Sequence, residues 1–452
     1  MVLKRKLYDR FLEWKKEGGK SALLVTGARR VGKSTLVREF GKTEYKSYVF
    51  IDFSNCSHDI KNVFLNGLYD LDRFFQFVSV LLGVELYERN SLFIFDEVQA
   101  FPLARQAIKH LVADGRFDYV ETGSLISLRS NVKDIIIPSE EEVVRMYPLD
   151  FEEFAWALGK SQLVEYVKEC FLGQKPLADA LHKEAMLLFR EYMIVGGMPQ
   201  SVIAYIESPI RSFSATERVK RNILNLYKQD IMKIDGSYRS KVAAIFDQIP
   251  ALLSRHEKRV VYNEIAAGSS FDSYRETFFW LSKSMMANVA FNSRDPEVGL
   301  GLNEDRTYVK CNMGDTGLLL SHVFRENEKV DSNLYKELYL GRLSINEGMF
   351  FENVIAQCLT ASGHRLFFYT KFDPVAKRNA MEIDFILSKG GKIRNKIYPI
   401  EVKSTDRYST KSLDMFREKY SRRIGGSYII HTGAYAQKNG ITCIPCYMAF
   451  LL

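Results

Sequence analysis

The chain has 452 residues, of which 46% are hydrophobic and 26% charged. Those proportions exclude a disordered or fibrous protein and leave room for about two to four domains with cores of their own. Sixty-three Lys and Arg against 55 Asp and Glu give a formal charge of +8, a mild excess that permits a nucleic-acid partner without demanding one.

The N-terminus, Met1-Val2-Leu3-Lys4-Arg5-Lys6, is basic but has no apolar core of the signal-peptide kind. No run approaches about 18 consecutive apolar residues, so no membrane span and a cytoplasmic setting are expected. Leu7 to Lys16 has a helical period and stops at Gly18-Gly19. The apolar run Ala22-Leu23-Leu24-Val25 then leads into Gly27-Ala28-Arg29-Arg30-Val31-Gly32-Lys33-Ser34-Thr35, and Leu36 to Phe40 continues at helical spacing. Strand, glycine-bounded loop and helix in this order make the phosphate-binding pattern G-x-x-x-x-G-K-[ST]. Its glycines let backbone N–H groups turn toward an anion, and the helix adds the positive end of its dipole. Lys33 is expected on the β- and γ-phosphates of ATP and Ser34 on Mg²⁺.

Tyr48 to Phe53 reads as a second buried strand, and the following forty or so residues, with Leu71, Phe74, Phe75, Phe77 and Val78 at helical spacing, read as helix. Ser91-Leu92-Phe93-Ile94-Phe95-Asp96-Glu97 is a strand buried on both faces that ends in two acids. Asp96 is expected to hold Mg²⁺ and Glu97 to polarise the attacking water. Asp118 to Ser124 reads as the next strand and its tip, where the hydroxyls of Thr122 and Ser124 could sense the γ-phosphate. Pro148 breaks a short strand, Asp150 caps a helix with an acidic first turn, and the core is expected to close near residue 158.

A helical region over 159–238 follows, with a corner at Gly196-Gly197-Met198-Pro199 that demands no chemistry. Residues 239–325 read as three helices and a β-hairpin, the outline of a winged helix, with Arg275 and Lys283 on the third helix able to approach a DNA groove. Residues 326–452 read as an α/β domain. An amphipathic helix carries Glu352, a strand carries Asp384, and the next carries Glu401-Val402-Lys403, with a Gly390-Gly391 turn between the strands. Glu352, Asp384 and Glu401 with Lys403 would suit a Mg²⁺-assisted phosphodiesterase. Of the six cysteines only Cys443 and Cys446 lie close together, and without a second pair they are expected to be packed thiols.

Together these residues resemble the prokaryotic AAA+-type ATPases of the archaeal-ATPase group. The resemblance rests on the 27–34 loop, Asp96-Glu97-Val98-Gln99, Tyr147-Pro148-Leu149-Asp150-Phe151-Glu152-Glu153-Phe154 and Gly196-Gly197-Met198-Pro199. It implies a P-loop NTPase parallel sheet over 1–158, a helical and winged-helix region, and a C-terminal restriction-endonuclease-like domain of the PD-(D/E)xK kind. It also implies ATP and Mg²⁺ as ligands, with DNA and further copies of the chain as candidate partners. Two departures stand out: no motif assigns an arginine finger, leaving Arg145 and Arg221 as candidates, and Ile383 stands where the nuclease motif has proline. The expected function is Mg·ATP hydrolysis that switches a DNA-associated module. The alternatives are an ATP-gated nuclease and a nucleotide-controlled interaction protein.

Overall fold

Leu92, Phe93, Ile94 and Phe95 form a run with no polar face, and such a strand needs cover on both sides. In the computed structural model, which describes residues 1–123, 138–234, 236, 238–255, 260, 262–265, 268–297, 299–326, 332–342, 347–373, 378–389, 396–405 and 407–452, helices supply that cover. Strands β1 (Ala22–Gly27), β2 (Ser47–Asp52), β3 (Ser91–Asp96), β4 (Asp118–Gly123) and β5 (Glu141–Met146) form a parallel sheet in the order β2-β3-β4-β1-β5. Alternate residues of each strand face opposite sides. Leu23, Val25, Leu92 and Ile94 pack with Phe11 and Trp14 of α1 (Leu7–Lys16) and with Val37 and Phe40 of α2 (Lys33–Glu44). Leu24, Phe93 and Phe95 face α3 (His58–Asn66), α4 (Leu71–Leu82) and α5 (Pro102–Asp114), among Phe64, Phe74, Phe75 and Ile108.

The chain divides into two compact units, Met1–Tyr147 and Pro148–Leu452. The next helix, Phe151–Ala157, begins the second unit. Asp150 caps it, accepting from Glu153 N at 2.8 Å while Glu153 Oε2 accepts from Asp150 N. Helices Asp179–Val195 and Pro199–Glu207 meet at the double-glycine corner. Gly196 has φ 79°, and a Cβ there would stand 2.3 Å from Asp315 Oδ1. A Cβ on Gly197 would stand 2.1 Å from the Leu149 carbonyl oxygen. Side chains are excluded at both positions for steric reasons, and Gly197 N donates to Asp315 Oδ2 at 2.6 Å.

Helices Arg239–Ser254, Tyr262–Ile265 and Phe271–Lys283 precede a hairpin of β6 (Ala287–Ser293) and β7 (Glu304–Met313), in the order expected of a winged helix. The hairpin is not a separate wing. Phe291 and Asn292 of β6 pair in parallel with Phe367 and Phe368 of β8 (Phe367–Asp373). One eight-stranded sheet then runs through β9 (Arg378–Lys389), β10 (Lys396–Val402), β11 (Tyr428–His431), β12 (Ala436–Lys438) and β13 (Ile441–Pro445), in the order β12-β13-β11-β10-β9-β8-β6-β7. The regions read as 239–325 and 326–452 thus share a sheet, because the open edge of β6 satisfies its backbone groups on β8. The Gly390-Gly391 turn lies outside the described residues. Cys443 and Cys446 are buried free thiols. Among the described residues no helix is long and apolar enough to cross a membrane.

Candidate functional site

The loop from Gly27 to Gly32 joins the end of β1 to the start of α2. Gly32 has φ 99°, a backbone region that glycine favours, and Arg30 is held at φ 69°. At Gly27 a Cβ would stand 2.4 Å from the Met146 carbonyl oxygen, so glycine there lets β5 approach. No side chain caps the first turn of α2, which leaves its N–H groups facing the loop side. Lys33 Nζ donates to the carbonyl oxygens of Gly27 and Ala28 at 3.0 and 3.2 Å and so lies across the loop. Arg5, not singled out in the sequence, holds the loop from outside. Its Nη1 donates to the Val31 carbonyl at 3.2 Å and its Nη2 to the Tyr147 carbonyl at 2.5 Å.

Because β4 lies between β1 and β3, its tip is next to both the loop and the acidic end of β3. Val25 is opposite Thr122 and Phe95 is opposite Glu121. Ser34 Oγ donates to Asp96 Oδ1 at 2.8 Å, and Thr122 Oγ1 donates to the same oxygen. Thr122 Oγ1 in turn accepts from Glu97 N at 3.2 Å, while Gln99 Nε2 donates to Glu97 Oε2. Glu97 sits at φ 54°, which turns the chain sharply away from the strand. The structure thus brings Lys33, Ser34, Asp96, Glu97 and Thr122 to one end of the sheet, whereas Ser124 lies outside the described residues. Ser34 and Asp96 are an all-oxygen donor pair of the hard kind that fits Mg²⁺. On the other face of β4, Glu121 is fully buried beside Glu141. Burial, then the neighbouring carboxylate, pushes its carboxyl well above the usual range, while Arg105 opposes.

In the second unit the pairing of Ile400 with Phe385 brings Asp384 beside Glu401, and Val402 N donates to Asp384 Oδ2 at 2.8 Å. Glu401 Oε2 pairs with Lys403 Nζ at 2.5 Å, and Glu401 Oε1 is buried without a hydrogen bond among the described residues. Burial pushes the Glu401 carboxyl up to about 7, with Asp384 and Glu382 adding to the rise and Lys403 opposing it. Glu352 comes from the helix Glu347–Ala361. The carboxylates gather around an ammonium that the sequence did not point to. Lys310 Nζ of β7 is 3.2 Å from Glu382 Oε1, 3.4 Å from Glu352 Oε1 and 3.8 Å from Asp384 Oδ1. Burial alone would lower its pKa, but the three acids hold it above the ordinary lysine value. Glu352, Asp384 and Glu401, expected to form a metal centre, thus lie in one cluster with Lys310, and among the described residues no group of three or more acids, histidines or cysteines is arranged to hold a metal ion.

Three of the remaining candidates, Arg275, Lys283 and Arg221, have local partners. Arg275 pairs with Asp272 on its own helix at 2.5 Å, and Lys283 Nζ stands 5.7 Å from the Phe279 ring. Arg221 donates to Glu217 Oε1 at 2.7 Å and to the Phe324 carbonyl at 3.2 Å. Arg145 is exposed on β5.

Residues 19–155 match the family model of an AAA domain. Residues 186–329 and 347–449 match two domains of unknown function, DUF8612 and DUF4143. No curated protein matches the chain. Among solved structures, PCH-2 from C. elegans is similar at 12% identity, with 48% of this chain and 68% of that chain covered and a TM-score of 0.25. ORC1 from Aeropyrum pernix, solved with DNA, is similar at 9% identity, covering 72% of this chain and 93% of that one with a TM-score of 0.27. A signal-transduction ATPase with a tetratricopeptide-repeat sensor from Pyrococcus horikoshii is similar at 11% identity, covering 80% and 49% with a TM-score of 0.28.

Proposed function

We propose that the protein, whose residues 19–155 are a P-loop AAA-type ATPase domain, hydrolyses Mg·ATP at the 27–35 loop and uses the cycle to switch its second unit. The observation that carries this reading is the bond from Ser34 Oγ to Asp96 Oδ1, with Thr122 on the same oxygen and Lys33 across the loop. Backbone N–H groups of residues 27–35 and the start of α2 would bind the triphosphate. Lys33 would exchange the carbonyls of Gly27 and Ala28 for the β- and γ-phosphates. Ser34 and Asp96 would hold Mg²⁺, which supplies neutralisation of the charge that develops on the transferred phosphoryl group. Glu97 would orient the attacking water and accept its proton. Thr122, bonded to Asp96 and to Glu97 N, would keep the two acids in a fixed relation.

Glu97→Gln tests the assignment. We expect unchanged ATP affinity and phosphate release slower by about a hundredfold or more, whereas Lys33→Ala loses nucleotide binding. Hydrolysis at the parent rate in Glu97→Gln would remove Glu97 from the mechanism.

Two partners enter as extensions of the same reading. The order of three helices and a hairpin before β8 supports a DNA-associated second unit, expected to show as faster hydrolysis with duplex DNA. An unchanged rate with ATP retained for hours would favour a nucleotide-held interaction protein. Arg145, exposed on β5, is the arginine offered to a neighbouring copy. Mixing Arg145→Ala chains with Lys33→Ala chains should then recover part of the hydrolysis that each has lost.

A further inference from the structure

We infer that the ammonium of Lys310 is the resident cation of the carboxylate cluster on the C-terminal sheet. This cluster would then work without a divalent metal, as a built-in network of one ammonium and three carboxylates and not as a phosphodiester-cleaving centre. The inference is independent of whether residues 27–35 bind nucleotide.

Lys310 is 1% exposed and lies in a strand that is otherwise apolar or buried from Val309 to Met313. A lone ammonium in such a place is costly unless acids surround it. Glu382 and Asp384 project from the same face of β9, two residues apart, and Glu352 arrives from the helix Glu347–Ala361. All three reach the one nitrogen, at 3.2, 3.8 and 3.4 Å. The Phe368 ring, centred 5.1 Å from Nζ, closes another side.

The remaining groups around the cluster are also engaged. Asp384 Oδ2 accepts from Val402 N, Glu382 Oε2 accepts from Asn379 Nδ2 at 3.2 Å, and Glu401 is paired with Lys403. A Mg²⁺ or Mn²⁺ ion needs several oxygens within about 2.0 to 2.2 Å. The point between Glu352, Glu382 and Asp384 where those oxygens would meet is taken by Nζ. A second cation entering there would have to displace that ammonium from the three carboxylates it neutralises.

The test is Mn²⁺ binding by the full chain without nucleotide, followed by electron paramagnetic resonance. An ion on Ser34 and Asp96 is subtracted by comparison with Asp384→Asn, which leaves that end of the other unit intact. The parent and Asp384→Asn are expected to bind Mn²⁺ identically. Lys310→Met is expected to gain a site at least about 100-fold tighter than anything the parent shows on this sheet, because the three carboxylates lose the ammonium that neutralises them and occupies the position between them. Adding Asp384→Asn to Lys310→Met should abolish that site. A parent site lost in Asp384→Asn would overturn the proposal, as would a folded Lys310→Met that gains none. If Lys310→Met does not fold, the comparison of parent with Asp384→Asn decides by itself. Plasmid nicking that requires Mn²⁺ and disappears in Asp384→Asn would likewise overturn it.

Discussion

Thr122 makes two bonds with one hydroxyl, donating to Asp96 and accepting from the Glu97 amide. In Thr122→Val both are lost while the shape is kept, so phosphate release should slow by about tenfold or more with ATP affinity near the parent's, and Thr122→Ser should restore it. Arg5 acts on the loop from the other side through two carbonyls, those of Val31 and Tyr147. Hydrogen bonds to a charged group of this kind contribute about 1.5 to 3 kcal/mol each, net of exchange with water. Arg5→Ala should therefore lower the stability of the first unit by about 2 kcal/mol in denaturant titration. Glu401 gives a pH dependence with a definite sign. Its carboxyl stands at about 7 when folded because of burial, above its value in an unfolded chain. The folded state therefore holds the proton more tightly. The associated stability is complete below the unfolded value and is lost as pH rises through about 7. The unfolding midpoint of the second unit should fall between about pH 5 and about pH 8, and Glu401→Gln should flatten that fall.

The elements were legible where their cause is local. Gly27 to Ser34 follows an apolar strand and precedes a helical period, and all three parts lie within about twenty residues. The cap at Asp150 was legible for the same reason, since its partner Glu153 is on the next turn. The double-glycine corner was legible as a corner, but its reason lies elsewhere in the chain. Asp315 and the Leu149 carbonyl occupy the space that side chains on Gly196 and Gly197 would need. Gly197→Ala should accordingly destabilise the second unit by several kcal/mol, about 3 or more, measured as a shift in its unfolding transition, with the first unit unaffected. The hairpin β6–β7 was read as a wing because a hairpin after three helices carries no signal of what its far edge will meet. Its pairing with β8 is decided by backbone groups and not by any motif.

At the scale of the molecule the two compact units, divided after Tyr147, predict a selective response to nucleotide. A ligand that binds one folded unit stabilises that unit by about 2.7 kcal/mol at a hundredfold excess over its dissociation constant. Mg·ATP should therefore raise the midpoint of the Met1–Tyr147 transition by more than it shifts the Pro148–Leu452 transition, as read by calorimetry. The sequence alone determined the phosphate-loop pattern, the acidic strand end and the placing of Asp384 and Glu401 on adjacent strands. Each follows from spacing along one strand or between neighbouring strands, where the period of the backbone does the placing. Only the tertiary structure decided what the C-terminal acids surround. Lys310 sits on β7, separated from β9 by β6 and β8 in the sheet order. No pattern along the chain carries that distance. The one hint was a lysine in a buried strand, which had to find acids and could not say which.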